Sequence, residues 1–321
     1  LQLNKGVVDM IVTLTVNPSV DASTSINQVV PDHKMRCREA SYKPGGGGVN
    51  VSRAIHRLGG ESLALYTSGG LHGQLLHQML EQEGVSNQPI PIEGQTRENL
   101  IVLEEATGQQ FRFDMPGPHF IKDDWERCIE QLNALKNNPT YIVASGSLPP
   151  GCPTDFYARV VKIAKKWNAR VIVDTSGEAL QLAADAGVYL LKPNARELEE
   201  LIGKQIANNE EIKAAAFQLI EEGRTEVVVV SLGGDGALLI TKEGTEYIQA
   251  PNVSVVSVVG AGDSLVGGVV YSLEQGRSLL ESVRFGIAAG AAAVMNPERE
   301  LCKREDTERL FKSMEIDSNK E

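Results

Sequence analysis

The sequence has few cysteines, and none of them is arranged to suit a metal. Cys37, Cys128, Cys152 and Cys302 are the only four in 321 residues, with no C-x-x-C pair among them. That spacing excludes the usual zinc sites and predicts free thiols in a reducing compartment, the cytoplasm. His33, His56, His72, His77 and His119 form no H-E-x-x-H pattern, so the helical zinc-hydrolase motif is absent. An excess of positive charge is missing too. Lys and Arg total 31 against 42 Asp and Glu, for a net charge of −11 and a pI near 5.1. Such a chain is ill suited to duplex nucleic acid or an anionic membrane; any anion must be held by local donors. The longest apolar run, Phe285 to Met295, is too short and too rich in Ala and Gly to span a bilayer. No signal peptide and no internal repeat is visible.

What is present is an ordinary globular balance, 42% hydrophobic and 23% charged. Strand-like segments at 10–16, 63–67, 140–145, 170–174, 188–191, 226–231, 236–241, 245–249 and 253–258 are interleaved with helical patterns. The helices are expected at 49–58, 73–83, 123–136, 154–167, 178–186, 195–202, 210–222, 263–275, 278–296 and 305–314. β-branched strands alternating with helices predict a mostly parallel α/β sheet covered on both faces. Two polar hairpins, one over 23–43 and one at 99–104 with 110–115, predict a small β-sheet lid or edge. In the first hairpin, Lys34 and Arg36 are expected on one face of a strand by period two. The organisation expected is one domain over 1–316, its lid formed from about 22–43 and 97–115, and a frayed tail at 317–321.

Chemistry concentrates in loops that follow strands, where ligands bind in such sheets. Val255, Val256, Val258 and Val259 run into Gly260-Ala261-Gly262-Asp263 and then a small-residue helix. Small residues let backbone N–H groups converge at a helix start, which suits a phosphate. A carboxylate beside such a hole can take a proton from a hydroxyl that attacks a phosphoryl group. A glycine-rich turn with an aspartate cap explains the same residues. Gly45-Gly46-Gly47-Gly48 with Asn50 follows a turn and has the wrong spacing for a dinucleotide fingerprint. It suits either a close ligand approach, with Asn50 toward a polyol, or a hinge. Lys192-Pro193-Asn194 with Glu197 places a cation after a strand, with Glu197 organising Mg²⁺ through water; a capping box alone accounts for Asn194 and Glu197. Ser231, Gly233 and Gly236 form a loop able to cover a nucleotide, or a tight turn.

In this order, together with Asp21 after Asn17-Pro18 and the run Ser145-Gly146-Ser147-Leu148-Pro149-Pro150-Gly151, these motifs resemble the ribokinase-type (PfkB) family of carbohydrate kinases. Nearly the whole chain is covered. Pro44–Val51, Val173–Leu180, Val283–Gly290, Lys34–Cys37 and Thr96–Leu100 resemble its phosphosugar branch. The resemblance implies a Rossmann-like α/β fold with a β-lid whose pairing between subunits gives a homodimer. It implies ATP as cosubstrate, Mg²⁺, and K⁺ near Ser257, Val259 and Asn296. Asp263 would be the base, and Gly260, Ala261 and Gly262 the anion hole. Asp21, the Gly45–Gly48 run, Asn50 and Ser147 would meet the sugar, while Lys34, Arg36 and Arg97 would handle its phosphate. Lys192, Asn194, Ser231, Gly233, Gly236, Ser257, Val259, Gly260, Gly262 and Asn296 would line the nucleotide. The implied reaction is fructose 6-phosphate to fructose 1,6-bisphosphate, with fructose 1-phosphate or tagatose 6-phosphate as alternative acceptors. A non-catalytic sugar-phosphate sensor is the rival from another class, though a sensor needs no base. Two departures from the family stand out: Ser257-Val258 replaces Asp-Thr or Ser-Thr, and Pro297-Glu298-Arg299-Glu300 replaces a segment with glycine and arginine.

Overall fold

A computed structural model describes residues 10–296 and 300–318. Among them, strands β1 (Ile11–Thr15), β4 (Leu63–Ser68), β5 (Asn87–Pro91), β8 (Tyr141–Ser145), β9 (Arg170–Asp174), β10 (Val188–Leu191), β11 (Thr225–Ser231), β12 (Gly236–Thr241) and β13 (Gly244–Gln249) form one sheet. Its order is β13-β12-β11-β10-β9-β8-β1-β4-β5, parallel except for β12 and β13 at one edge. The strands bury both faces, so successive residues go to opposite cores. Val228 and Val230 pack toward α3 (Lys122–Asn133), α4 (Phe156–Lys166), α5 (Gly177–Asp185), α6 (Ala195–Ile202) and α7 (Asn209–Glu221). Val227 and Val229 pack toward α1 (Gly47–Leu58), α8 (Ala261–Glu274) and α9 (Leu279–Val294). This double burial is why the strands read as continuous apolar runs. Helices α2 (Gly70–Gln82) and α10 (Arg304–Ser318) complete the helical layers. No helix among the described residues is long and apolar enough to cross a membrane.

A second sheet has the order β3-β2-β6-β7, built from β2 (Ser19–Ile26), β3 (Ser41–Gly45), β6 (Arg97–Glu104) and β7 (Gln110–Phe113). The central β2–β6 pair is parallel and the outer pairs antiparallel. Register gives this sheet two unlike faces. Lys43, Asp21 and Asn99 share a polar row, and Tyr42, Ala22, Leu100 and Phe113 share an apolar row.

Several expectations need correcting. Residues 253–258 form no strand, and Val255, Val256 and Val258 are 64%, 56% and 69% exposed. The run pairs with no strand among the described residues and these valines are left at the surface, so β-branched composition alone does not make a strand here. The segment 27–40 is irregular and mostly exposed, with Asp32 at φ 60. Lys34 and Arg36 therefore share no strand face. Strand β5 was not expected, because Pro89 and Pro91 argue against a strand; it lies at the sheet edge, where proline is tolerated. The glycine run follows strand β3 directly, not a turn. In the tail, 317 and 318 belong to α10, while 319–321, like 1–9 and 297–299, lie outside the described residues.

Candidate active site

The carboxyl ends of β9 and β10 bring Asp174 and Lys192 to the N-terminus of α8. Gly260 caps this helix in the left-handed region at φ 77, which favours a residue without Cβ. The first helical bond runs from Ser264 N–H to Gly260 O, 2.8 Å. The N–H groups of Ala261, Gly262 and Asp263 precede it and are left for another acceptor. Asp263 sits in this first turn and does not cap the helix itself. That disposes of the aspartate-cap reading. The positive helix end and three N–H groups suit an anion.

Asp263 is half-buried at this helix start, and its Oδ2 accepts from Asn50 Nδ2 at 2.9 Å. Burial first, then the like charge of Asp174, pushes its pKa up to about 6. Asn50, Lys192 and Arg53 work against that rise. Asn50 is therefore engaged by protein on both ends, since its Oδ1 accepts from Arg53 Nη1 at 3.1 Å. Neither Arg53 nor Asp174 was among the expected site residues. The signal for Arg53 was a charge within the apolar pattern Val51, Ile55, Leu58, and Asp174 ends an otherwise apolar strand.

Lys192 extends from the loop after β10, its side chain only 10% exposed, and pairs with Asp174 Oδ1 at 3.2 Å. A methyl group at Gly262 would lie 3.8 Å from Lys192 Nζ, so the ammonium stands beside the α8 N-terminus. Burial opposes its charge, but Asp174, Glu197 and Asp263 outweigh that and hold its pKa above the ordinary lysine value. Asn194 and Glu197 form the full capping box of α6: Asn194 Oδ1 accepts from Glu197 N–H and Glu197 Oε2 from Asn194 N–H, each 2.9 Å. Burial raises the pKa of Glu197, against the pull of the Asn194 N–H and Lys192. Asn194 also bridges to Ser231 at the end of β11. Beyond that bridge lies a cavity of about 450 Å³ lined by Asn194, Arg196, Asn209, Ser231, Asp235 and Tyr247. Of the expected nucleotide residues, Asn194 and Ser231 line it. Gly233 and Gly236 shape the turn behind it, where a side chain at Gly236 would strike Ile248 O. Asn209, Asp235 and Tyr247 were not anticipated.

The glycine run is packed against protein. A Cβ at Gly45 would collide with Ser19 Oγ and the Asp21 carboxylate, one at Gly47 with Ser145 Oγ, and one at Gly48 with Thr15 Oγ1. Gly46 has φ 108. The run thus lets α1 start against the ends of β1 and β8, which places Asn50 opposite Asp263. The hinge reading fails on this packing. Asp21 Oδ1 accepts from Ser19 Oγ at 2.8 Å and from Asn99 Nδ2 at 2.9 Å. Ser147 is exposed, and its Oγ accepts from Asn17 Nδ2 at 3.1 Å. Arg97, at the start of β6, donates to Asn17 O (3.0 Å) and Met115 O (3.1 Å), with Nε buried and unpartnered. Burial lowers its pKa against the charges of Asp21 and Asp114. Lys34 and Arg36 lie apart, exposed in 27–40.

Ser257, Val259 and Asn296 lie near the C-terminus of α9. Ser257 N–H donates to Val294 O at 3.2 Å, and Asn296 Nδ2 donates to Ala292 O (3.0 Å) and Leu301 O (3.2 Å). Among the described residues no group of three or more His, Cys, Asp or Glu side chains is placed to hold a metal ion unaided.

A family model described as pfkB family carbohydrate kinase matches residues 13–305. An ATP-dependent 6-phosphofructokinase isozyme 2 from Mycobacterium tuberculosis is 46% identical over 301 residues, covering 94% of this chain and 88% of that protein. The protein of the same name from Escherichia coli is 40% identical over 302 residues, covering 94% and 97%. The crystal structure of phosphofructokinase-2 from Escherichia coli in complex with potassium superposes with a TM-score of 0.92 at 39% identity, covering 96% of this chain and all of that one. More distant relatives include a 1-phosphofructokinase of Bacillus subtilis and a tagatose-6-phosphate kinase of Staphylococcus epidermidis.

Proposed function

Because the chain belongs to the pfkB family of carbohydrate kinases, we propose that it transfers the γ-phosphoryl group of ATP to fructose 6-phosphate, giving fructose 1,6-bisphosphate and ADP. The observation that carries this reading is Asp263, held by Asn50 at a helix start beside Lys192. Asp263 takes the proton of the attacking sugar hydroxyl as the new P–O bond forms and ADP departs. General-base assistance of this kind contributes about 10²–10⁴-fold. The N–H groups of Ala261, Gly262 and Asp263 and the Lys192 ammonium meet the charge on the transferring group, each such donor being worth roughly 3 kcal/mol. The 450 Å³ cavity by Asn194 and Ser231 suits the nucleoside end of ATP.

On the sugar side, Asp21 and Ser147 are assigned to the hydroxyls together with Asn50, which keeps one N–H and one lone pair beyond its bonds to Asp263 and Arg53; Arg97, whose Nε is buried without a partner, is assigned to the phosphate. Lys34 and Arg36, which lie apart from this set in the exposed segment 27–40, are assigned to the same phosphate on the reading that the lids of two copies pair and one of these cations reaches across. The 6-phosphofructokinase names of the 46% and 40% identical relatives, against 1-phosphofructokinase at 35% identity, support fructose 6-phosphate as the acceptor.

A divalent cation fits beside Glu197, a partly buried carboxylate near Lys192 and Asp174. Mg²⁺ retains several waters and takes few protein ligands, which agrees with a hold through water. When bound it would neutralise phosphate charge. Ser257, Val259 and Asn296 are proposed to hold K⁺ through main-chain oxygens. The small sheet exposes Tyr42 (51%) and Phe113 (48%), and the segments that flank its strands expose Met35 and Met115 (45% each), an apolar set that supports pairing of two copies as a homodimer.

A coupled assay of ADP release with MgATP tests the reading, run on fructose 6-phosphate, fructose 1-phosphate, tagatose 6-phosphate and fructose, with and without K⁺. The highest kcat/KM is expected with fructose 6-phosphate. Preference for free fructose, or ADP release indifferent to sugar, would refute it.

A further inference from the structure

We infer that Arg53 is a positioning residue of the reaction: it turns the Asn50 amide so that only its NH₂ end can meet Asp263, and so aims the base. The inference rests on the reading of Asp263 as the base.

Arg53 is 2% exposed and lies three residues after Asn50 on α1. Its Nε and Nη2 donate to the two oxygens of Glu83 at 2.7 and 2.6 Å, while Nη1 donates to Pro44 O at 2.9 Å and to Asn50 Oδ1 at 3.1 Å. Four donors are thus spent in one fixed orientation. A guanidinium has no acceptor, so the atom of Asn50 facing it must be the carbonyl oxygen. That leaves the NH₂ to donate to Asp263 Oδ2. Without Arg53 the amide can turn its oxygen toward the carboxylate and repel its ionised form.

Stability alone is a weak account of this pair. A buried ion pair is often no better than apolar residues of the same volume, because desolvation cancels the attraction. What an apolar pair cannot do is orient an amide. Glu83 caps the C-terminus of α2 and Pro44 precedes the glycine run on β3, so the guanidinium is clamped from two other elements. The groups facing Asp263 are Asn50 and Arg53 from α1, Asp174 from β9 and Lys192 from the loop after β10. Of these, Arg53 alone acts both by charge and through Asn50.

Arg53→Lys keeps the charge and loses the fork. It is expected to lower kcat about tenfold or more with KM for ATP within twofold. It should also move the acidic limb of kcat/KM upward by roughly half to one pH unit. Glu83→Gln, which loosens the clamp, moves both in the same direction by less and serves if Arg53→Lys does not fold. A second readout needs no turnover. The pH dependence of the stability difference between each protein and its Asp263→Asn derivative reports the ionisation of Asp263, and its midpoint should rise in Arg53→Lys. A lower Tm with kcat, limb and midpoint unmoved would make Arg53 a staple and overturn the inference. Should the parent chain show no sugar-dependent ADP release, the kinase reading fails by itself, while the stability titration still decides the role of Arg53.

Discussion

Replacing Asp174 by Asn should make the protein work better in acid relative to its own performance at alkaline pH. The reasoning starts from Asp263, whose pKa stands at about 6 because of burial and then the Asp174 charge. Asp174→Asn removes that like charge. It also frees Lys192 from its 3.2 Å pairing, beside the helix that carries Asp263. Both changes favour the ionised base, and together they are expected to lower its pKa by roughly one pH unit. A base with pKa 6 is about one-tenth ionised at pH 5, and one with pKa 5 about half. The ratio of kcat/KM at pH 5 to that at pH 8 should therefore rise about fivefold, even though absolute turnover drops with Lys192 misplaced. The sugar phosphate titrates near pH 6 as well, but its pKa is the same for parent and variant, so the comparison isolates the protein group. The assay is a buffered pH series of ADP release at subsaturating sugar. An acidic limb that stays in place, or moves upward, would refute the electrostatic account of Asp263.

Other outcomes follow from the same geometry. Glu197→Gln keeps the capping box, since Gln serves at that position, so the unfolding free energy should hold within about 0.5 kcal/mol in denaturant; the Mg²⁺ concentration for half-maximal rate should rise several-fold, and no change would reduce Glu197 to a cap. Gly45→Ala presses on the movable side chains of Asp21 and Ser19, whereas Gly47→Ala also meets backbone around Gly146. The first should raise the sugar KM with little loss of Tm, and the second should destabilise by about 1–3 kcal/mol in denaturant unfolding. Asp263→Asn should be the more stable protein at pH 8. A carboxylate whose folded pKa is raised from 3.8 to about 6 contributes stability below pH 4 that is lost as pH rises through 6. At 1.36 kcal/mol per pH unit the full effect is about 3 kcal/mol, less for a group that water can reach. Equal Tm values for parent and variant from pH 4 to pH 8 would contradict the shift.

Much of the frame was legible because the doubly covered sheet writes itself as apolar runs between helical patterns, and strands such as β9 and β10 have the expected bounds. The exceptions share a cause: pairing partners are not visible locally. Val255 to Val259 has the composition of a strand but no described strand pairs with it, and β5 has prolines that an edge position forgives. Glycines were legible as a motif, yet most of the run answers to Ser145, Thr15 and Asp21 rather than to space for a ligand. The residues around Asp263 divide the same way. Asn50, Lys192 and the α8 turn announce themselves in motifs, while Arg53, Glu83 and Asp174 act through contacts between segments far apart in the chain.

The most direct measurement is the turnover of fructose 6-phosphate with MgATP by purified Asp263→Asn, its fold confirmed by circular dichroism and a cooperative melt. A carboxylate that draws the proton off the attacking hydroxyl predicts a loss of about 10²–10⁴-fold in kcat with a folded chain. Near-parental kcat from that folded chain would contradict it.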